Sequence, residues 1–151
     1  MSSLHAAFDG PLRGLRILIV EDSHDNRRLL TNYLRRAGAE VAFAENGRDA
    51  VDGLMKESGG PGSPQPDVVL MDLQMPVVNG YDATRELRVR GYDGQIVALT
   101  ANALIGDEQV CQSCGCDDYA TKPISSEELT VVVRRAIDRQ AAFASPARHA
   151  A

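Results

Sequence analysis

Short blocks of unbroken apolar residues alternate along this chain with longer stretches whose apolar residues recur at helical spacing. Ile17–Val20, Val68–Met71 and Ile96–Leu99 each run four residues without a polar interruption, the pattern of strands covered on both faces. Strands are predicted over Arg16–Val20, Val41–Ala44, Val68–Met71, Gln95–Leu99 and Asp117–Ala120. Between the first two, Leu29, Leu30, Tyr33, Leu34 and Ala37 make one stripe that Gly38 can end, which predicts a helix over 25–37. Ala50, Val51, Leu54 and Met55 repeat the spacing through about residue 57, and Ala83 and Leu87 share one side of a helix after the third strand. A helix over 104–114 contains Gly106 and several small residues, so packing rather than propensity would have to hold it. Ser125 and Glu128 have capping-box spacing ahead of Leu129, Val132, Val133, Ala136 and Ile137, a last helix that ends before Ser145.

Five strands separated by helices require crossover connections, and right-handed crossovers place helices on both faces of a mostly parallel sheet. The expected fold is doubly wound α/β. Residues 58–66 hold three Gly and three Pro in nine positions, so they read as a loop. Neither flank alone has enough elements to bury a core, and the segment therefore reads as an insertion within a single domain. The organisation expected is a linker over 1–13, one domain over 14–142 and an Ala-rich tail over 143–151.

A net charge of −5 argues against a nucleic-acid backbone as the main partner, because such binding rests on clustered Lys and Arg. No apolar run approaches the ~20 residues of a membrane span, and the first fifteen residues lack the apolar centre of a secretory signal. A cytoplasmic chain without membrane contact is expected. Cys111, Cys114 and Cys116 lie too close together for a disulfide framework and lack the four ligands of a structural zinc site, so they read as buried or half-buried small side chains. His24 opens a helix of an α/β domain rather than lying on a helical-bundle face, which disfavours it as a phosphorylated histidine. The arginines at 27, 28, 35, 36, 85, 88, 90, 134 and 135 read as solvated faces.

Ligands of a doubly wound sheet bind beyond the carboxyl ends of its strands. There the chain places Glu21 and Asp22 after the first strand, Asp72 after the third, Thr100 after the fourth and Lys122 after the fifth. If the first and third strands are neighbours, three carboxylates meet, and two of them ~5 Å apart repel by roughly 3 kcal/mol at an effective dielectric of 20. Lys122 offsets part of this repulsion, and a hard divalent ion with oxygen ligands, best Mg²⁺, would offset the rest. Such a cluster suits phosphoryl transfer, in which cations neutralise the phosphoryl oxygens while a carboxylate attacks in line. Asp72 is the best-placed nucleophile.

Four runs carry a family likeness: Ile-Leu-Ile-Val-Glu-Asp-Ser at 17–23, Asp-Val-Val-Leu-Met-Asp-Leu-Gln-Met-Pro at 67–76, Val-Ala-Leu-Thr-Ala-Asn-Ala at 97–103 and Asp-Asp-Tyr-Ala-Thr-Lys-Pro at 117–123. In this order, and at these strand ends, they resemble the receiver domain of two-component response regulators. The resemblance implies a flavodoxin-like sheet in the order 2-1-3-4-5. It implies Asp72 as phosphoacceptor, Asp22 as a direct Mg²⁺ ligand, Glu21 as a ligand acting mainly through water, and the main-chain carbonyl of Gln74 as a further ligand. Lys122 would contact the phosphoryl group, Thr100 would donate its hydroxyl to it, and Tyr119 would move into the space Thr100 leaves. The bond to Pro123 would be cis, and Gln74 and Asn102 would tune the lifetime of the acyl phosphate. Glu21 stands where many members have Asp.

The implied partners are a histidine kinase or a histidine phosphotransfer protein, with self-association through the 104–114 helix, the last strand and the last helix. Such a domain promotes its own phosphorylation and dephosphorylation. The wording around Asp72 looks most similar to receivers of hybrid sensor histidine kinases, a stand-alone regulator being the alternative. A Mg²⁺-dependent phosphohydrolase is disfavoured because Gln74 stands where its second Asp belongs. A phosphate-independent interaction module would have no need of the acidic cluster.

Overall fold

The computed structural model describes residues 10–58, 65–73, 79–101 and 113–143. Five strands, β1 (Arg16–Val20), β2 (Glu40–Ala44), β3 (Val68–Asp72), β4 (Gln95–Thr100) and β5 (Asp118–Thr121), form one parallel sheet in the order β2-β1-β3-β4-β5. The described helices are α1 (His24–Arg36), α2 (Gly47–Ser58), α3 (Gly80–Val89) and α4 (Ser126–Phe143). This is the flavodoxin-like arrangement the sequence implies. The helix expected over 104–114 falls mostly outside the described residues.

Every residue of β3 and β4 is buried, yet their side chains divide between two cores. Val69 and Met71 join Val20, Leu54, Leu87 and Ile96 beneath α2 and α3, whereas Val68 and Leu70 join Ile19, Leu34, Leu99 and Val133 beneath α1 and α4. Successive strand residues point to opposite faces, so a strand with helices on both sides must be apolar throughout. Truncating a fully buried residue such as Leu70 to Ala therefore opens a cavity at a cost of about 2–5 kcal/mol. At the sheet edge β2 departs from this rule, since Ala42 and Phe43 are exposed.

Local chemistry sets the helix starts. The Ser23 hydroxyl accepts from the Asn26 N–H at 3.3 Å, and Asn79 Oδ1 accepts from the Asp82 N–H at 2.9 Å. At α4, Glu128 N–H donates to Ser125 Oγ and Ser125 N–H donates to a Glu128 carboxylate oxygen, a reciprocal capping box. Where α3 begins, Gly80 lies so close to the end of β3 that a Cβ there would overlap the carbonyl oxygen of Asp72 and the Cα of Leu73.

Two arginines correct the expectation of solvated faces. Arg27 is buried: its Nη1 donates to the carbonyls of Glu21 at 3.1 Å and Asp22 at 3.4 Å, and its guanidinium lies 4.7 Å from the Phe43 ring centroid. Arg88 is part-buried. It donates from Nε to the Gly115 carbonyl, from Nη1 to those of Tyr92 and Gly94, and from Nη2 to Asp117 Oδ2, at 2.8–2.9 Å. Long side chains can lie along apolar surface and carry their charge to distant acceptors. The other seven arginines are exposed, as expected.

Candidate functional site

Strand register assembles the site. Because Val20 pairs with Met71, the next residues, Glu21 and Asp72, emerge side by side from β1 and β3. Asp72 lies opposite Leu99 of β4, so Thr100 ends one position beyond it, and Thr100 pairs with Thr121 of β5. Lys122 follows, its N–H donating to the Thr100 carbonyl at 2.7 Å, and the Lys122–Pro123 bond is cis. The sequence-predicted residues Glu21, Asp22, Asp72, Thr100 and Lys122 thus share one rim.

Carboxylate oxygens of Glu21, Asp22 and Asp72 lie within 4.8 Å of one another. Glu21 is 1% exposed and Asp72 3%, whereas Asp22 is open to solvent. Charged groups at such depth demand compensation. The Lys122 ammonium supplies some of it, reaching Glu21 Oε1 at 2.9 Å and Asp72 Oδ1 at 3.3 Å. Burial alone would lower the pKa of this ammonium, but its hydrogen bond to Glu21 and the charge of Asp72 outweigh burial and hold it above the ordinary lysine value. Glu21 Oε2 also accepts from the Ser23 N–H at 3.3 Å. Among the described residues, the carboxylates of Glu21, Asp22 and Asp72 gather beside the Lys122 ammonium. All the donors are hard oxygens and one carboxylate stays open to water, the donor set a Mg²⁺ ion takes.

Thr100 is buried, and Tyr119 on β5 is half-buried against the core beneath α2 and α3. Gln74 and Asn102 lie outside the described residues. His24 is exposed at the start of α1. Arg27 is the contribution that reading the sequence missed: by holding the Glu21 and Asp22 carbonyls it pins the segment that presents two of the three carboxylates. A signal existed, since Arg27 precedes Leu30 by three residues and Leu34 by seven and so lies on the buried stripe of α1.

A family model described as the response regulator receiver domain matches residues 17–134. A two-component response regulator of Oryza sativa subsp. japonica is 38% identical over 123 residues, covering 80% of this chain and 93% of the rice protein. Hybrid signal transduction histidine kinase E of Dictyostelium discoideum is 38% identical over 113 residues, which cover 72% of this chain but 6% of the kinase. Among solved structures, the receiver domain of sensor histidine kinase PA1611 from Pseudomonas aeruginosa PAO1 superposes with a TM-score of 0.72 at 38% identity. That comparison covers 83% of this chain and 98% of the other, which has a magnesium ion coordinated in its active-site cleft.

Proposed function

The chain belongs to the response regulator receiver domain family of two-component signalling, and on that premise we propose that Asp72 is its phosphoacceptor. The observation that carries this reading is the Lys122 ammonium bonded to both Glu21 and Asp72, with Asp22 completing the acidic cluster. Asp72 would act as the in-line nucleophile. Its carboxylate oxygen forms a bond to phosphorus as the P–N bond of a phosphohistidine donor breaks, and later hydrolysis of the acyl phosphate ends the signal. Lys122 turns from its carboxylate partners to the incoming phosphoryl oxygens. Thr100 donates its hydroxyl to the modified side chain. Bound at Glu21, Asp22, Asp72 and the main-chain carbonyl of Gln74, Mg²⁺ would neutralise charge that Lys122 alone cannot.

Phosphorylation replaces a monoanion by a group of about −1.5 to −2 charge with three strong acceptors. The reading assigns Thr100 and Tyr119 to a coupled switch: as Thr100 moves toward the phosphoryl group, the Tyr119 ring follows and β5 with α4 presents an altered face. The donor is a histidine kinase or a histidine phosphotransfer protein. Beside the site, Leu29, Leu30, Ile124 and Lys122 line a mostly apolar groove, and Leu29 is 47% exposed, a surface suited to a donor helix. The domain, taken as residues 14–142, works in the cytoplasm without nucleic acid or membrane, and the β5–α4 face offers a route to homodimers. No helix among the described residues is long and apolar enough to cross a membrane.

Likeness to receivers of sensor and hybrid kinases supports a parent of that kind. The rice regulator, matched over nearly its whole length, supports the stand-alone alternative. Incubation with Mg²⁺ and acetyl phosphate followed by intact mass tests the chemistry. One phosphoryl adduct that Asp72→Asn abolishes is the expected result. Equal labelling of the Asp72→Asn variant overturns the assignment, turnover of varied phosphoesters would indicate a phosphohydrolase, and no adduct would indicate a passive interaction module.

A further inference from the structure

At the opposite end of the sheet, where the chain enters β5, two thiols meet. Cys114 Sγ and Cys116 Sγ lie 3.7 Å apart, and both side chains are buried, at 2% and 8% exposure. The residue between them brings them together: Gly115 has φ +109°, and a Cβ there would meet Arg88 Cγ at 2.6 Å. Arg88 fixes this bend by donating to the Gly115 carbonyl and to Asp117, one residue beyond Cys116. Residues two apart span at most ~7 Å, so the Cα separation is already near the range a disulfide takes. The sulfurs need to close by only about 1.7 Å, from contact to a bond length near 2.05 Å. The sulfur–sulfur hydrogen bond also holds the Cys114 thiol below its ordinary pKa, which favours the nucleophilic thiolate.

We propose that Cys114 and Cys116 are a redox-active dithiol, oxidised by hydrogen peroxide to an intrachain disulfide at the entrance to β5. The Cys114 thiolate attacks one peroxide oxygen, the O–O bond breaks, and hydroxide leaves to be protonated to water. The resulting sulfenic acid at Cys114 is attacked by Cys116 sulfur, the S–O bond breaks, the Cys116 proton goes to the departing hydroxide, and a second water forms. The two thiols lose two electrons and two protons in all, and the peroxide is reduced to two waters. A small oxidant is required, because Cys116 keeps only a sliver of exposure and Cys114 almost none. Formation of the disulfide would draw on the bend that Arg88 and Asp117 anchor, and so on the strand that carries Tyr119.

The test uses the full chain with Cys111→Ser, which removes the remaining cysteine of the sequence, alongside wild type. Each is treated with hydrogen peroxide, the remaining thiols are alkylated, and intact mass and fragment spectra are recorded without reduction. The expected product in both proteins has lost the mass of two hydrogens, carries no label on Cys114 or Cys116, and regains both thiols with a dithiol reductant. Cys114→Ser and Cys116→Ser should each lose the product. Added oxygen on one sulfur without pairing, a bridge that requires Cys111, a bridge between two chains, or two thiols that stay free each overturn the proposal. Wild type and Cys111→Ser alone decide it should either of the other variants not fold.

Discussion

The two rims of the sheet handle charge in opposite ways. At the amino-terminal rim Arg88 gives its Nε and both Nη atoms to four acceptors at 2.8–2.9 Å, and Asp117 Oδ2 takes a second donor from the Ile96 N–H. At the carboxyl-terminal rim three carboxylates crowd within 4.8 Å around one bonded ammonium. The first arrangement is satisfied within the protein and fixes the entries to β4 and β5. The second is left with negative charge in excess, which a cation or a charge-changing modification can answer. Similar residue types thus serve structure at one end and, in the proposed reading, reactivity at the other, and the balance of partners tells them apart.

That contrast breaks most visibly at Arg88. Arg88→Ala removes the charged partner of Asp117 and a donor from each of three carbonyls, and we expect a loss of about 3 kcal/mol, read as a lower urea midpoint with an unchanged slope. Arg88→Lys should recover little, since one ammonium cannot reach acceptors spread over two loops. A fall under 1 kcal/mol would mean that the clamp is ornamental.

A gain of similar size should come from the other rim. Mg²⁺ at ~100 times its dissociation constant should stabilise the fold by about 2.7 kcal/mol in thermal melts, with Asp22→Ala losing most of the effect. Asp72→Asn removes two repulsive pairings and one attractive pairing with Lys122, so the metal-free fold should gain about 1 kcal/mol while losing its phosphoryl label. Destabilisation by Asp72→Asn would show that the excess charge had already been answered within the chain.

The smallest effect probes a flaw in the satisfied rim. The Tyr92 hydroxyl is buried and has no hydrogen-bond partner among the described residues, and burial pushes its pKa up to about 12. The unfolded chain releases that proton near pH ~10, so stability should fall as pH rises from there toward 12. Tyr92→Phe should be neutral or stabilising by up to about 1 kcal/mol and should flatten that fall. A residual decline should persist, because the raised Lys122 pKa gives a contribution that is complete below its ordinary value and lost above it. An unchanged alkaline limb in the variant would show that Tyr92 does not set it.

Much of this was legible because apolar period and strand-end chemistry are local. Continuous apolar runs placed β1, β3 and β4, and the capping box placed the start of α4. The acidic rim was legible because a parallel sheet gathers its strand ends, so Glu21, Asp22, Asp72 and Lys122 could be brought together without knowing any contact. Arg27 and Arg88 were misread because the reach of a guanidinium depends on carbonyls that tertiary structure supplies. Phe43 is exposed because β2 is an edge strand, a position already implied by the order 2-1-3-4-5.

Gly80 gives the acidic rim a mechanical dependence that no charge reveals. What stands behind Asp72 there is main chain, which cannot swing aside as a side chain can. A single methyl at residue 80 would have to shove the peptide that carries the proposed nucleophile, so the aim of Asp72 is set partly by a hydrogen atom eight positions downstream. Volume at that spot is therefore a tuning screw for the direction of the Asp72 carboxylate, turned without altering one ionisable group.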